Sequence, residues 1–497
     1  MNGWTAEDLR ATTLGRWRQR PDRIVPINGV GIDSRDDLAG KAFVAVRGER
    51  HDGHTFLTEA AGAGAKLMII EDGYTLPNLP EDIAVFAVPD TRRALGQLAK
   101  AHRKALAGTK FIAITGSVGK TTTKRLIHTV LATTHNGREA PRSYNNEIGV
   151  PLTILAAKPS DRYVVVEAGM SAPGEIAHLG AIIEPDIAII TAVGRAHLEG
   201  VGSLQAIAEE KASLLRFVRP GGTVIVNIDA PHLDAYVRRN ENVITFGESD
   251  SADLRLTARG AHEQPSEGQP KWWFEINNRQ RFDLRLPGRH NALNALAAVA
   301  TARRMGVTDE RINDGLSQAE PVAMRMQTHR IGPLTIYNDA YNANPEAMAA
   351  SLETFGETSA HAERRVVILG EMLELGADAP AMHREVGRQL IDLDSQMRID
   401  RAVFVGEAAK HIASTVSKIW RDDRYLHVAA VHPDIVTFLG DLFNDTRETA
   451  VLLKGSRRVG LEQLINWLAR AIERTPNSDQ QAAGTTFTTR QSITAEA

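Results

Sequence analysis

Continuous apolar runs, rather than alternating ones, mark out the chain. Tyr163-Val164-Val165-Val166, Asp186-Ile187-Ala188-Ile189-Ile190 and Thr223-Val224-Ile225-Val226 are Val/Ile-rich and unbroken. Such runs suit strands of a parallel sheet covered on both faces. Ligands of such sheets bind beyond the carboxyl ends of the strands. The same alternation of strand and helix begins again near Pro321, with Leu334–Tyr337, Arg365–Leu369, Ala402–Val405 and Ala450–Leu453 as buried strands. Upstream, Ala42–Val46, Lys66–Ile70 and Ala84–Val88 predict a small α/β domain of their own.

The connections follow from composition. Thr91 to Ala107 reads as an amphipathic helix, with Leu95, Leu98, Ala99, His102 and Leu106 along one side, linking the first domain to the second. Lys271–Ile276 and Arg281–Leu286 flank the polar turn Asn277–Gln280, which predicts an antiparallel hairpin inserted in the second domain. Its paired tryptophans, Trp272 and Trp273, read as core or edge packing ahead of a stacking surface for a base. Pro287 to Asn291 leads into an alanine-rich helix through Ala302. The stretch from Thr475 to Ala497 has almost no large apolar residues and is expected to be disordered.

One stretch carries chemistry. Phe111-Ile112-Ala113-Ile114 is a short strand, Thr115-Gly116-Ser117-Val118-Gly119 a turn on two glycines, and Lys120-Thr121 opens a helix on which Leu126, Ile127, Val130 and Leu131 recur at helical spacing. This is the order of a phosphate-binding loop. Glycines let backbone N–H groups close around a triphosphate, and the positive end of the helix favours its charge. Lys120 would reach the β/γ-phosphates and the Thr121 hydroxyl a magnesium ion. Ile114 stands where the general pattern has glycine. The fold class that results is α/β in three domains: 1–90, then 91–319 around a parallel sheet of phosphate-loop ATPase type, then 320–474 around a dinucleotide-fold-like sheet, with the tail 475–497.

Composition narrows the class. At 497 residues the chain exceeds one core, and 43% hydrophobic with 24% charged residues is ordinary for a globular protein. A formal charge of −3 gives no sign of a nucleic-acid partner. The lack of cysteine excludes disulfides, a thiol nucleophile and thiolate metal sites. No signal-peptide pattern and no apolar run near the ~20 residues of a membrane span stand in the sequence, so the expectation is a cytoplasmic protein, acting as a monomer.

Further polar residues fall at strand ends and loops. Glu167 follows the Tyr163–Val166 strand and would project near the phosphate loop as an oxygen ligand for magnesium. His197 is either a nitrogen ligand for a second metal or a satisfied loop histidine. Asp33-Ser34-Arg35 offers a hydroxyl and a guanidinium suited to a phosphate or a base edge, or is a solvated turn; Arg47 to His54 is a similar polar loop. Taken singly, Lys211, Arg325, Asp339, Lys454 and Arg457 read as solvated charges.

Together these stretches resemble the Mur ligase family, ATP-dependent enzymes that build the peptide stem of bacterial cell-wall precursors. The resemblance is carried by Thr115 to Lys124, Tyr144 to Thr153, Val166-Glu167-Ala168-Gly169-Met170, Ala196-His197-Leu198-Glu199, His290-Asn291 and Leu453 to Arg457, and so runs through nearly the whole chain. The departure at Ile114 is shared by the family. Within it, Phe43 to His54, Asp339 to Pro345 and Leu369 to Gly376 look most like the branch that adds D-alanyl-D-alanine. The resemblance implies ATP and Mg2+ as cofactors, and UDP-N-acetylmuramoyl-tripeptide and D-alanyl-D-alanine as substrates, joined through an acyl phosphate. It implies a uridine-nucleotide domain at 1–90 with Ser34 and Arg35 among its contacts, and Asn145, Asn146 and Thr153 along the muramoyl-peptide channel. It also implies magnesium on Thr121 and Glu167, a second metal near His197, a carbamylated Lys211, adenine and ribose contacts at Asn291 and Asp339, and a phosphate-directed Arg325 from the third domain.

Two alternatives remain at this point. One is a sibling ligase adding a single amino acid, including the kind that polyglutamylates a folate. The other keeps the fold as a nucleotide-gated binding protein without turnover.

Overall fold

The computed structural model describes residues 3–48, 51–237, 239–263, 271–443 and 446–473. The expectation of disorder for 475–497 lies outside them. The chain divides into two compact units, one of residues up to Val322 together with Glu374–Gly376, the other from Ala323 onward without that short segment.

The first unit holds two α/β sheets. The N-terminal one runs Arg16–Gln19, Ala84–Val88, Leu67–Glu71, Ala42–Val44, Val30–Gly31 in spatial order, parallel except for the Arg16–Gln19 edge strand. Both edge strands are short and only partly buried, so they lack the apolar run that marks the inner three.

The central sheet has nine strands, in the order Gln280–Leu284, Trp272–Ile276, Leu254–Ala261, Val243–Gly247, Thr223–Asn227, Ile187–Ile190, Lys110–Thr115, Tyr163–Glu167, Gly137–Glu139. The strand that ends in the phosphate loop thus lies between those that end at Glu167 and Ile190. The predicted hairpin is present, but it is not a separate insertion. Leu254–Ala261 pairs parallel with Val243–Gly247 on one side and antiparallel with Trp272–Ile276 on the other, so the hairpin extends the main sheet. Phe274 and Phe282 stack on its inner face at 5.6 Å, and the Trp273 ring packs under the Arg281 guanidinium at 3.8 Å on the other.

The linking helix is Thr91–Ala105, capped by the Asp90 carboxylate on the Arg93 N–H. Leu95, Leu98 and Ala99 belong to one core that contains Val44, Leu67 and Phe86 of the N-terminal sheet and Phe111, Ala113 and Val164 of the central one. The two sheets therefore share a single apolar interior.

The second unit is a six-stranded sheet, Gln327–Ile331, Leu334–Asn338, Thr449–Lys454, Arg364–Gly370, Arg401–Val405, Tyr425–Val428, parallel except for the first edge. The last strand in the chain is inserted beside the first parallel one, as in doubly wound folds, which brings the carboxyl ends at Asn338 and Lys454 together at the edge where such sheets bind ligands.

Candidate active site

The phosphate loop is shaped by close approach. A Cβ on Gly116 would lie 2.0 Å from Thr191 Oγ1; one on Gly119, whose φ is +85°, would lie 2.4 Å from Asn294 Oδ1. Only glycine fits either place. Thr191 donates its hydroxyl to the Val118 carbonyl at 2.6 Å. Ser117 Oγ donates to the Gly194 carbonyl and accepts from the Gly194 N–H, both at 2.9 Å. The loop is thereby fastened to the segment that follows the Ile187–Ile190 strand. Lys120 begins the Lys120–Leu131 helix and turns its ammonium back onto the Gly116 carbonyl at 2.6 Å.

Glu167 closes the adjacent strand in register with Ile114 and is buried. Thr121 Oγ1 is 3.1 Å from each of its oxygens, and Asn145 Nδ2 is 3.4 Å from Oε1. Lys124 Nζ lies 3.7 Å from Oε2. Lys124 stands outside the residues that the sequence singles out individually, although its place four residues after Lys120, three after Thr121, turns it toward the same side of the helix.

The hydroxyl and carboxylate oxygens of Thr121 and Glu167 are hard donors that suit magnesium. Magnesium typically takes one or two protein oxygens and completes its shell with phosphates and water. Among the described residues no three His, Asp or Glu side chains converge on one point.

Lys211 corrects the reading as a solvated charge. It lies in the Leu204–Ala212 helix at 2% exposure, with Met170 Sδ at 3.9 Å from its Nζ. Among the described residues no carboxylate pairs with it. Burial, reinforced by the charge of Lys120, pushes its pKa well below the lysine range. His197 sits in the left-handed region at φ 61° and holds Glu374 Oε2 at 2.6 Å through Nδ1. Burial lowers its pKa, Lys120 adds to that, and the bond to Glu374 opposes it. In sequence Glu374 stands only within the Leu369–Gly376 motif, and nothing in its spacing points to His197.

The remaining candidates are placed as follows. Asn146 Oδ1 accepts from the Ile148 and Gly149 N–H groups at the start of the Gly149–Leu155 helix. Thr153 is buried in that helix, with its hydroxyl donated to the Gly149 carbonyl at 2.8 Å. Asn291 is buried in the Arg289–Arg304 helix; its Nδ2 donates to the Pro287 carbonyl at 2.7 Å, and its Oδ1 accepts from Asn294. The half-buried Ser34 lies beside Arg35, whose exposed guanidinium pairs with Asp33 at 2.7 Å. In the second unit, Asp339 and Lys454 are not solvated charges but a nearly buried pair at 2.8 Å. Arg325 stacks over the Tyr341 ring at 4.4 Å, and Arg457 pairs with Glu462 at 2.7 Å.

Three family models match in sequence: Mur ligase family, catalytic domain, over residues 26–103; Mur ligase middle domain over 114–302; and Mur ligase, glutamate ligase domain, over 324–457. The UDP-N-acetylmuramoyl-tripeptide--D-alanyl-D-alanine ligase of Bacillus subtilis is 35% identical over 447 residues, covering 88% of this chain and 92% of its own. The chain belongs to the Mur ligase family. As a Mur ligase it is an ATP-dependent, magnesium-requiring enzyme that forms a peptide bond. Among solved structures, MurF from Acinetobacter baumannii superposes on this Mur ligase with a TM-score of 0.82 at 30% identity, covering 94% of this chain and 99% of that one. MurF ligase from Thermotoga maritima in complex with ADP gives 0.75 at 27%, covering 92% and 98%. The three-domain α/β class expected from the sequence holds.

Proposed function

We propose that this Mur ligase joins D-alanyl-D-alanine to UDP-N-acetylmuramoyl-tripeptide, in the assembly of peptidoglycan precursors. The terminal carboxylate of the tripeptide accepts the γ-phosphoryl group of ATP. The amine of the dipeptide then attacks the acyl phosphate, and inorganic phosphate leaves from the tetrahedral intermediate. The observation that carries this reading is the meeting of Thr121 with Glu167 beside a glycine loop and Lys120, in a chain 35% identical to a ligase named for these two substrates.

The roles follow from charge. Two anions must approach each other, so the backbone of Thr115, Gly116, Ser117, Val118 and Gly119 cradles the phosphates while Lys120 offsets their charge. Magnesium held by Thr121 and Glu167 would supply further neutralisation of the developing phosphate charge. His197 stands by for a second ion, with Glu374 fixing its ring. Burial and the charge of Lys120 disfavour the ammonium form of Lys211, which favours addition of its amine to carbon dioxide: the nitrogen bonds to the carbon, a proton leaves, and the side chain becomes a carboxylate-like ligand. Asn291 and Asp339 serve adenine and ribose, and Arg325 the phosphates. Ser34 and Arg35 serve the uridine nucleotide, and Asn145, Asn146 and Thr153 the muramoyl side; Thr153, being buried, does so through the helix it steadies.

The functional division is 1–90 for the uridine nucleotide, 91–319 for ATP and 320–474 for the incoming dipeptide. No helix among the described residues is long and apolar enough to cross a membrane. We place the enzyme in the cytoplasm as a monomer. Phosphate release is the test: purified protein with ATP, magnesium and UDP-N-acetylmuramoyl-tripeptide is expected to release phosphate with D-alanyl-D-alanine and not with single amino acids. Release with a single amino acid, or with a folate and glutamate, would replace this reading by that of a sibling ligase.

A further inference from the structure

The phosphate-loop helix carries a second lysine that the reaction above does not use. Lys124, one turn beyond Lys120, is 3% exposed. Its ammonium donates to the Ala140 carbonyl at 2.8 Å and to the Arg142 carbonyl, and lies 3.7 Å from Glu167 Oε2. An ammonium taken out of water is costly unless acceptors surround it. Here they come from two further parts of the fold, the end of the Tyr163–Glu167 strand and the loop that follows Gly137–Glu139. That loop runs on to Asn145, whose amide reaches the same carboxylate.

We propose that Lys124 is a positioning residue of the magnesium–nucleotide site. It locks the Glu167 carboxylate and the Asn145-bearing loop against the helix that carries Thr121, so the oxygen donors are fixed before nucleotide arrives. The inference rests on Thr121 and Glu167 being magnesium ligands, as proposed above. Two effects oppose each other. A positive charge beside the carboxylate repels an incoming cation, whereas a carboxylate already held in place needs no reorganisation to bind one. Positioning and repulsion therefore predict opposite changes when the ammonium is removed.

The test is calorimetric titration of ATP at stepped magnesium concentrations, which needs no turnover. Lys124→Met keeps length and apolar bulk without the charge. Its magnesium requirement for half-maximal ATP binding is expected to rise about tenfold, with binding restored to within about threefold at saturating magnesium. A lysine that merely supported the fold would reduce the fraction of competent sites and leave that requirement where it was. Either an unchanged or a lowered requirement overturns the proposal. Should Lys124→Met fail to fold, Asn145→Ala, which leaves the buried ammonium in place, is expected to raise the requirement in the same direction, and no change there also overturns it. If ATP binding to the unmodified protein ignores magnesium, the assignment of Thr121 and Glu167 fails first, and the role of Lys124 with it.

Discussion

Thr121 Oγ1 is equidistant, at 3.1 Å, from the two oxygens of Glu167, a carboxylate that is 1% exposed. A hydroxyl has one proton, so it serves one oxygen at a time and leaves lone pairs on both residues open to a cation. Thr121→Val keeps the shape and removes the oxygen. ATP affinity at fixed, limiting magnesium is expected to fall about tenfold or more. Equal affinity for the variant and the unmodified protein, measured by calorimetry, would take Thr121 out of the site.

Lys120 is held on the Gly116 carbonyl at the start of its helix, and Lys120→Ala should leave the fold intact by circular dichroism. Removing a charge aimed at the developing phosphate charge costs about a hundredfold to a thousandfold in turnover at comparable sites. Turnover within a few-fold of the original would refute its role.

Gly119→Ala asks an L residue to hold φ +85° with a Cβ 2.4 Å from Asn294 Oδ1. The left-handed backbone alone costs about 1–2 kcal/mol, and Asn294 must also move, which loosens its contact with Thr123. Weaker ATP binding together with a lower thermal midpoint is expected. A thermal midpoint and affinity equal to those of the unmodified protein would show that the loop tolerates what its geometry forbids.

Lys211→Ala removes a buried amine and leaves a hole. Loss of activity with partial recovery in a short carboxylic acid such as formate or acetate is expected, because an added carboxylate would replace the one that the proposed carbamylation would supply. Absence of recovery across a concentration series would leave carbamylation without support.

His383 gives a pH dependence remote from the chemistry. Its Nε2 accepts from the Met372 N–H at 3.0 Å, so Nδ1 carries the proton and donates to the Ala379 carbonyl at 2.6 Å. The ring must be neutral to do both. Burial lowers its pKa from the ordinary 6.5, partly opposed by the Ala379 carbonyl. With the folded value below the unfolded one, its contribution is fully present above pH 6.5 and is lost as pH falls toward the folded value. The urea midpoint of the unmodified protein should exceed that of His383→Gln at pH 8, and the difference should shrink by pH 5.5. A difference that stays constant would show that the ring does not titrate there.

The sequence made the strands legible wherever they were buried on both faces, because Val/Ile runs such as Tyr163–Val166 have no other use. It hid the edges: Arg16–Gln19 and Gln327–Ile331 carry polar, half-exposed side chains and lack that signature. The phosphate loop was readable because two glycines, a lysine and a threonine must follow each other in order. Lys211 and Lys454 were not, since a lysine looks the same in sequence whether it faces water or is enclosed. Only the fold brings Met170 to the first and Asp339 to the second. Glu374 lies 177 residues from His197, a separation at which spacing carries no information.

The Thr91–Ala105 helix gives neither neighbouring sheet a finished surface of its own. Expressing the first ninety residues alone would strip Val44, Leu67 and Phe86 of the leucines that cover them, and the remainder would bare Leu95 and Leu98 in turn. The N-terminal sheet and the central sheet are thus expected to melt as one piece, and a protease that cuts between them would release two sticky fragments rather than two separately stable modules.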